Sequence, residues 1–268
     1  TRKTNDICDF PPLRVQLTSK APDGSLMQGQ RRLKLVTHCK RSADFQQKVL
    51  LEYAAYRLYN LMSPLSFRAR LVNVDYVDEG GRPYISRVGF FIEDFDDVAK
   101  RNGVADAHQG SMVPLQLIDP AGGARFAVFE YMISNYDWSM RAAPKGEECC
   151  HNGRLLAGAP GGLLTPVPYD FDYSGLVDAP YATPPEGFPI DHVRQRNYRG
   201  YCSHLSQARA FAAQLEVARL TGRRHDHILN VHRAALGEDR PRGHDRFLGI
   251  AREQLGRPPY RGYRRTAP

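Results

Sequence analysis

The sequence predicts an α+β protein in two lobes: a small β-rich lobe over residues 1–94 and a mainly helical lobe over 95–240, with a basic tail over 241–268. Three observations carry that prediction. The first 94 residues hold short runs in which apolar and polar side chains alternate, the period of a strand with one buried face. One long run at three- and four-residue spacing interrupts them, the period of an amphipathic helix. After residue 95 helical spacing dominates, broken by Gly and Pro turns.

Leu13, Val15 and Leu17 alternate with polar neighbours and predict the first strand. Pro22-Asp23-Gly24-Ser25 predicts a turn, and Gly29 the close of a hairpin. Arg32–Cys39 predicts the next strand, with Leu33 and Leu35 on one face and Lys34 and Val36 on the other. A helix is expected from Asp44 to about Leu61, with Asp44 as N-cap, Gln47 as capping-box partner and Pro64 beyond its end. Its apolar residues form two stripes: Phe45, Val49, Tyr53 and Tyr56, then Leu50, Ala54, Leu58 and Leu61. Phe67–Val77 and Tyr84–Ile92 predict two strands turned by Asp78-Glu79-Gly80-Gly81-Arg82-Pro83. Glu93 and Asp94 end the second of them, and a short helix near Asp97–Asn102 stops at Gly103.

The second lobe opens with a helix expected over Ala124–Ser134, followed by a polar loop, Asn135–Asn152. Arg154–Leu156 and Leu163–Val167 predict two short strands turned by Gly161-Gly162. The run from Pro168 to Gly175 follows at once, then a Pro-rich loop over Ala179–Pro189 and the segment Val193–Arg199. Helices are expected between Gln207 and Gln254.

Of the 268 residues, 42% are apolar and 25% charged, which excludes wholesale disorder. No stretch approaches the ~18 uninterrupted apolar residues of a membrane helix. The net charge of +8 suits an anionic ligand or surface. Nucleic acid is not expected as a partner: the basic run Arg240–Arg265 has only Tyr260 and Tyr263 as stacking platforms. The chain begins at Thr1 rather than Met, so a longer precursor is expected, with a removed signal peptide as one form of it. Cys8, Cys39, Cys149, Cys150 and Cys202 form no C-x-x-C pair. Two readings stay open. A cytoplasmic chain would keep five reduced thiols. An exported one would bridge Cys8 to Cys39 and Cys202 to Cys149 or Cys150, leaving one thiol over.

The order of polar residues carries the chemistry. A strand holds Lys34, the next helix holds Glu52, and two strands lead to an acidic hinge at Glu93-Asp94. A helix follows, then a loop with Asp137 and Asn152, a small hairpin, and Asp170. This is the order of parts in a protein kinase, and it predicts a two-lobed protein-kinase-like fold with the nucleotide between the lobes. Phosphoryl transfer needs these residue types. A lysine neutralises phosphate, a glutamate holds the lysine, and one carboxylate takes the proton of the attacking hydroxyl. An Asn and an Asp offer hard oxygens to Mg²⁺. Simpler readings compete at each position. Lys34 and Glu52 alone are ordinary surface charges. Asp170-Phe171-Asp172 alone could be a glycosyltransferase metal motif or a phosphatase pair, its two carboxylates sharing a side if the strand continues. Cys149-Cys150-His151, and His225-Asp226-His227 with His232, are weaker metal candidates. Arg194, Arg196 and Arg199 read equally as an acidic-substrate site or as a helix of locally paired arginines.

Asn135-Tyr136-Asp137-Trp138-Ser139, His151-Asn152 and Pro166-Val167-Pro168-Tyr169-Asp170-Phe171-Asp172-Tyr173-Ser174-Gly175 together resemble the catalytic core of the atypical kinases related to spore-coat protein H (CotH-like), and of exported bacterial proteins with that core. The runs Leu33 to Cys39, Glu52 to Asn60 and Phe90 to Asp94 fit the same group, so the resemblance covers about residues 8–202. It implies Lys34 on the phosphates with Glu52 as its partner, and Asp137 as catalytic base. Glu93 would lie at the nucleotide, Asn152 and Asp170 on Mg²⁺ (or Mn²⁺), and Asp172 as a further metal oxygen. The chain departs from an ordinary kinase in three places. No Gly-x-Gly-x-x-Gly run precedes Lys34, no His-Arg precedes Asp137, and Asn152 follows Asp137 by 15 residues. The expected function is ATP- and Mg²⁺-dependent phosphoryl transfer to a hydroxyl of an extracytoplasmic protein or glycan. The alternatives are a catalytically silent envelope scaffold and AMP transfer on the same fold.

Overall fold

The computed structural model describes residues 8–107 and 110–220. The basic tail, the helices expected beyond Leu220 and the His225 to His232 group lie outside these residues. The described chain is α+β, with two antiparallel sheets. The first, in the order β1-β2-β4-β3, is built from β1 (Leu13–Gln16), β2 (Arg32–Val36), β3 (Ala69–Val77) and β4 (Pro83–Ile92). The second, β5-β6-β7, comprises Ala105–Asp106, Gly153–Ala157 and Leu164–Pro168. Four helices accompany them: α1 (Asp44–Met62), α2 (Phe95–Arg101), α3 (Pro120–Ile133) and α4 (Leu205–Leu220). Among the described residues no helix is long and apolar enough to cross a membrane.

β2 stops at Val36, three residues short of the predicted end. The reason is a competing partner. Thr37 Oγ1 donates to the carbonyls of Phe10 and Pro11, and the Cys39 carbonyl accepts from the N–H groups of Asp9 and Phe10. The disulfide Cys8–Cys39 ties this crossing down. What remains of β2 pairs with β4, setting Lys34 opposite Ile92 and Val36 opposite Phe90.

α1 begins at Asp44, but its N-cap is Ala43, which makes no side-chain cap bond, so the expected capping box does not form. Asp44 instead stands in the first turn, where its charge suits the helix dipole. From Val49 to Tyr56 every residue is buried, so the two predicted stripes merge. A helix buried all round must pack on two sides. Tyr53 and Tyr56 meet Phe90 of the first sheet, while Tyr56 meets Phe171 and Tyr59 meets Phe129 of the second half.

α3 starts four residues before the predicted Ala124. Asp119 caps it by accepting from the Gly122 N–H, and Pro120 fills the first turn. One apolar cluster then runs from Val36, Tyr56 and Phe90 to Phe129, Leu156, Val167 and Phe171. The two halves therefore share a core across residue 94. A second cluster, including Phe126, Trp138, Met140, Cys149 and Cys150, buries much of the nominally polar loop after α3.

Candidate active site

Three elements deliver the first half of the site. β2 brings Lys34, α1 brings Glu52 and Tyr56, and the turn after β7 brings Asp170 and Asp172. Lys34 Nζ donates to Asp170 Oδ1 at 2.6 Å. Carboxylate oxygens of Glu52, Asp170 and Asp172 lie within 4.8 Å of one another, with Glu52 and Asp172 only 1% and 4% exposed. The resemblance implies Glu52 as the partner of Lys34; the structure sets its carboxylate beside Asp170, which Lys34 itself binds.

β7 ends at Pro168, so alternation along a strand does not bring the two aspartates together. Asp170 adopts a left-handed φ of 64° and turns the chain. Phe171 drops into the core, fully buried, while the carboxylates on either side of it reach Glu52. Three carboxylates this close repel one another wherever water is excluded. Their donors are all hard oxygens, the set that fits Mg²⁺ or Mn²⁺ better than a softer ion.

The second half grows from the loop after α3 and from the start of β6. His151 Nε2 lies 2.7 Å from Asp137 Oδ1. Asn152 Nδ2 donates to Asp137 Oδ2 at 2.9 Å and to the Asp137 carbonyl at 2.6 Å. The hydrogen bond to Asp137 raises the pKa of His151 against the opposing effect of burial, and the charges of Asp137, Asp170 and Glu147 add to it. Asp170 thus acts on His151 as well as on Lys34, which joins the two halves electrostatically. The Tyr169 N–H donates to the Asn152 carbonyl and joins them through the backbone.

The loop carrying Asp137 is held from below. Ser134 Oγ donates to the carbonyls of Val193 and Gln195, and Tyr136 Oη also donates to Gln195. Arg196 donates to the Met132 carbonyl and Arg199 to that of Tyr136, while the Arg199 guanidinium stacks 4.7 Å from Trp138. Residues 193–199 form no helix, so the expected helix of paired arginines is absent there, and Arg196 and Arg199 support the loop through these backbone contacts. Arg194 Nη1 lies 3.7 Å from Asp178 Oδ2.

Glu93 is not one of the clustered carboxylates. Its carboxylate accepts from Arg101 and from the Arg68 N–H, and its own N–H donates to the Arg68 carbonyl. The sulfurs also depart from expectation. Cys149 and Cys150, both buried, are bonded to each other, and Cys202 is the free, exposed cysteine. Two site residues take roles that the sequence reading does not give them. His151 reads from the sequence as a weak metal candidate with Cys149 and Cys150, whereas here its ring meets Asp137. Tyr56 was visible only as an apolar stripe member, although it lies one helical turn after Glu52. A surface concavity of about 600 Å³, lined by residues 103–107 and 157–162 with Leu117 and Leu164, offers one ionisable side chain, Asp106, which Arg154 pairs at 2.7 Å.

No protein-family model, curated protein or solved structure matches this chain.

Proposed function

We propose that the chain is a kinase-like phosphotransferase that moves the γ-phosphoryl group of ATP, with Mg²⁺ or Mn²⁺, to a hydroxyl of an extracytoplasmic protein or glycan. The observation that carries this is convergence. Lys34, Glu52, Asp170 and Asp172 meet at one cluster, and the Asp137–His151–Asn152 group is coupled to it through Asp170. Phosphoryl transfer is mainly positioning and charge neutralisation, and this set supplies both.

In this reading Lys34 holds the nucleotide phosphates, and Glu52, Asp170 and Asp172 hold the metal. Bound Mg²⁺ supplies positive charge to the phosphoryl oxygens. Asp137 accepts the proton of the acceptor hydroxyl, while His151 and Asn152 fix its two oxygens. The Cys8–Cys39 bridge supports an oxidising compartment.

The test is incubation of the whole chain with Mg²⁺ and γ- or α-labelled ATP, reading both label on protein and the nucleotide released. Transfer of γ-label with ADP release supports the proposal. Transfer of α-label with pyrophosphate release means AMP transfer, and neither means a silent scaffold.

A further inference from the structure

We propose that Tyr56 is a positioning residue that sets Asp170 for metal-dependent nucleotide binding, an inference that rests on the phosphotransferase reading. Tyr56 follows Glu52 by four residues on α1, so both project from one helix face. Its ring is 1% exposed and meets Phe171 at 4.7 Å and Phe90 at 5.6 Å, each edge-on. Its hydroxyl oxygen accepts the Asp170 N–H at 2.9 Å.

That bond falls at the residue where the backbone is least ordinary. Asp170 is a non-glycine residue at φ 64°, between the partly buried Tyr169 and the fully buried Phe171. A backbone N–H in such surroundings needs an acceptor, and Tyr56 provides it. The bond fixes the plane of the Tyr169–Asp170 peptide and hence where the Asp170 carboxylate points. α1 therefore controls the cluster twice, through the Glu52 carboxylate and through the Asp170 backbone.

The experiment is Tyr56→Phe, which removes one oxygen and keeps the ring. ATP binding is titrated by calorimetry against Mn²⁺, with Tyr53→Phe on the same helix as control. In Tyr56→Phe the Mn²⁺ concentration for half-maximal ATP binding rises about 3- to 10-fold, the weight of one hydrogen bond, while ATP affinity at saturating Mn²⁺ stays near that of the unsubstituted chain. An unchanged Mn²⁺ requirement, or a loss of ATP affinity that excess Mn²⁺ does not restore, overturns the role of Tyr56 and leaves the phosphotransferase reading standing. If the unsubstituted chain binds no Mn²⁺–ATP, both fall. Amide exchange in the unsubstituted chain gives a second check that needs no variant. The Asp170 N–H exchanges slowly, and exchange at the rate of a free loop overturns the proposal.

Discussion

Lys34 Nζ lies 2.6 Å from Asp170 Oδ1, joining residues 136 apart in the chain and linking the first sheet to the turn after the second. Both side chains are about one third exposed, at 37% and 31%, so the pair is partly screened by water and adds little to stability by itself. Its value is positional. It holds a cation beside a carboxylate, and in the proposed function these receive phosphate and metal.

Nucleotide should therefore stabilise the chain. At 100 times its Kd, Mg²⁺–ATP adds about 2.7 kcal/mol, which is on the order of 5–10 °C in Tm for a chain of this size. Asp170→Ala abolishes the shift, because it removes the partner of Lys34 and one of the three clustered carboxylates together. A scan with Mg²⁺ and Mn²⁺ that shows no shift in the unsubstituted chain would remove the nucleotide from the account.

Asp137 should matter for turnover rather than for binding. Asp137→Asn keeps the shape and lowers transfer about 10²- to 10⁴-fold, the usual share of a general base. His151→Ala deletes the bond to Asp137 Oδ1 and lowers transfer about 10- to 100-fold, the weight of a charge-assisted hydrogen bond. Nucleotide affinity changes little in either variant. Wild-type turnover in both would place the chemistry elsewhere.

Elements with a strong local period were legible in the sequence. The hairpin of β3 and β4, the body of α1 and the strands β6 and β7 stand within a few residues of expectation. Boundaries set by distant partners were not. β2 ends early because residues 37–39 bind the segment near Phe10, and α1 is already helical at Asp44, so Ala43 rather than Asp44 stands at the N-cap. Asp170 and Asp172 were found for an incomplete reason. Their shared direction comes from a left-handed residue and a buried Phe171, which alternation along a strand cannot express. The sequence offers His151 as a metal candidate beside Cys149 and Cys150; its contact with Asp137, 14 residues earlier, depends on how the intervening loop folds.

The cysteines allow a direct count. Denatured, non-reduced protein should show one free thiol, Cys202, with Cys8 bonded to Cys39 and Cys149 to Cys150. Cys8 and Cys39 are 31 residues apart, and the chain-entropy model values that closure at roughly 3–4 kcal/mol. Cys8→Ser with Cys39→Ser should lose about that much in urea denaturation. Five reactive thiols in protein taken from its native compartment would overturn both the bridges and the expected export.

Gly175 is where the loop supports close on the Asp137 loop. A Cβ there would meet the Val193 carbonyl oxygen at 2.3 Å, Arg194 Cα at 2.8 Å and Ser134 Cβ at 2.9 Å. Backbone cannot swing aside as a side chain can, so Gly175→Ala forces the Ser134 and Val193 segments apart. Overpacking of this kind costs about 1–3 kcal/mol. The same displacement should slow transfer, since Ser134 precedes Asp137 by three residues. A denaturation midpoint equal to that of the unsubstituted chain would show that the close approach is relaxed in solution.

Glu130 should make stability fall as pH rises. It is fully buried on α3, and neither carboxyl oxygen meets a donor at good hydrogen-bond geometry. Burial pushes its pKa from 4.5 up to about 8; the Asn135 side chain and Arg199 pull it partly back, and the Asp137 charge adds to the rise. Below the unfolded value both states hold the proton, and the folded chain bears no penalty. Between about 4.5 and about 8 the unfolded chain has released its proton while the folded chain keeps it, so the folded state loses ground with each pH step. Above that window the penalty is constant, on the order of 5 kcal/mol at most. Glu130→Gln carries a neutral group of the same shape at every pH, which removes this component. Urea denaturation at pH 5 and pH 8 should therefore show a smaller loss for Glu130→Gln, with the variant gaining on the unsubstituted chain at pH 8. Equal losses in the two proteins would mean that Glu130 is already ionised in the folded state, held by Arg199 and Asn135 more firmly than its burial allows.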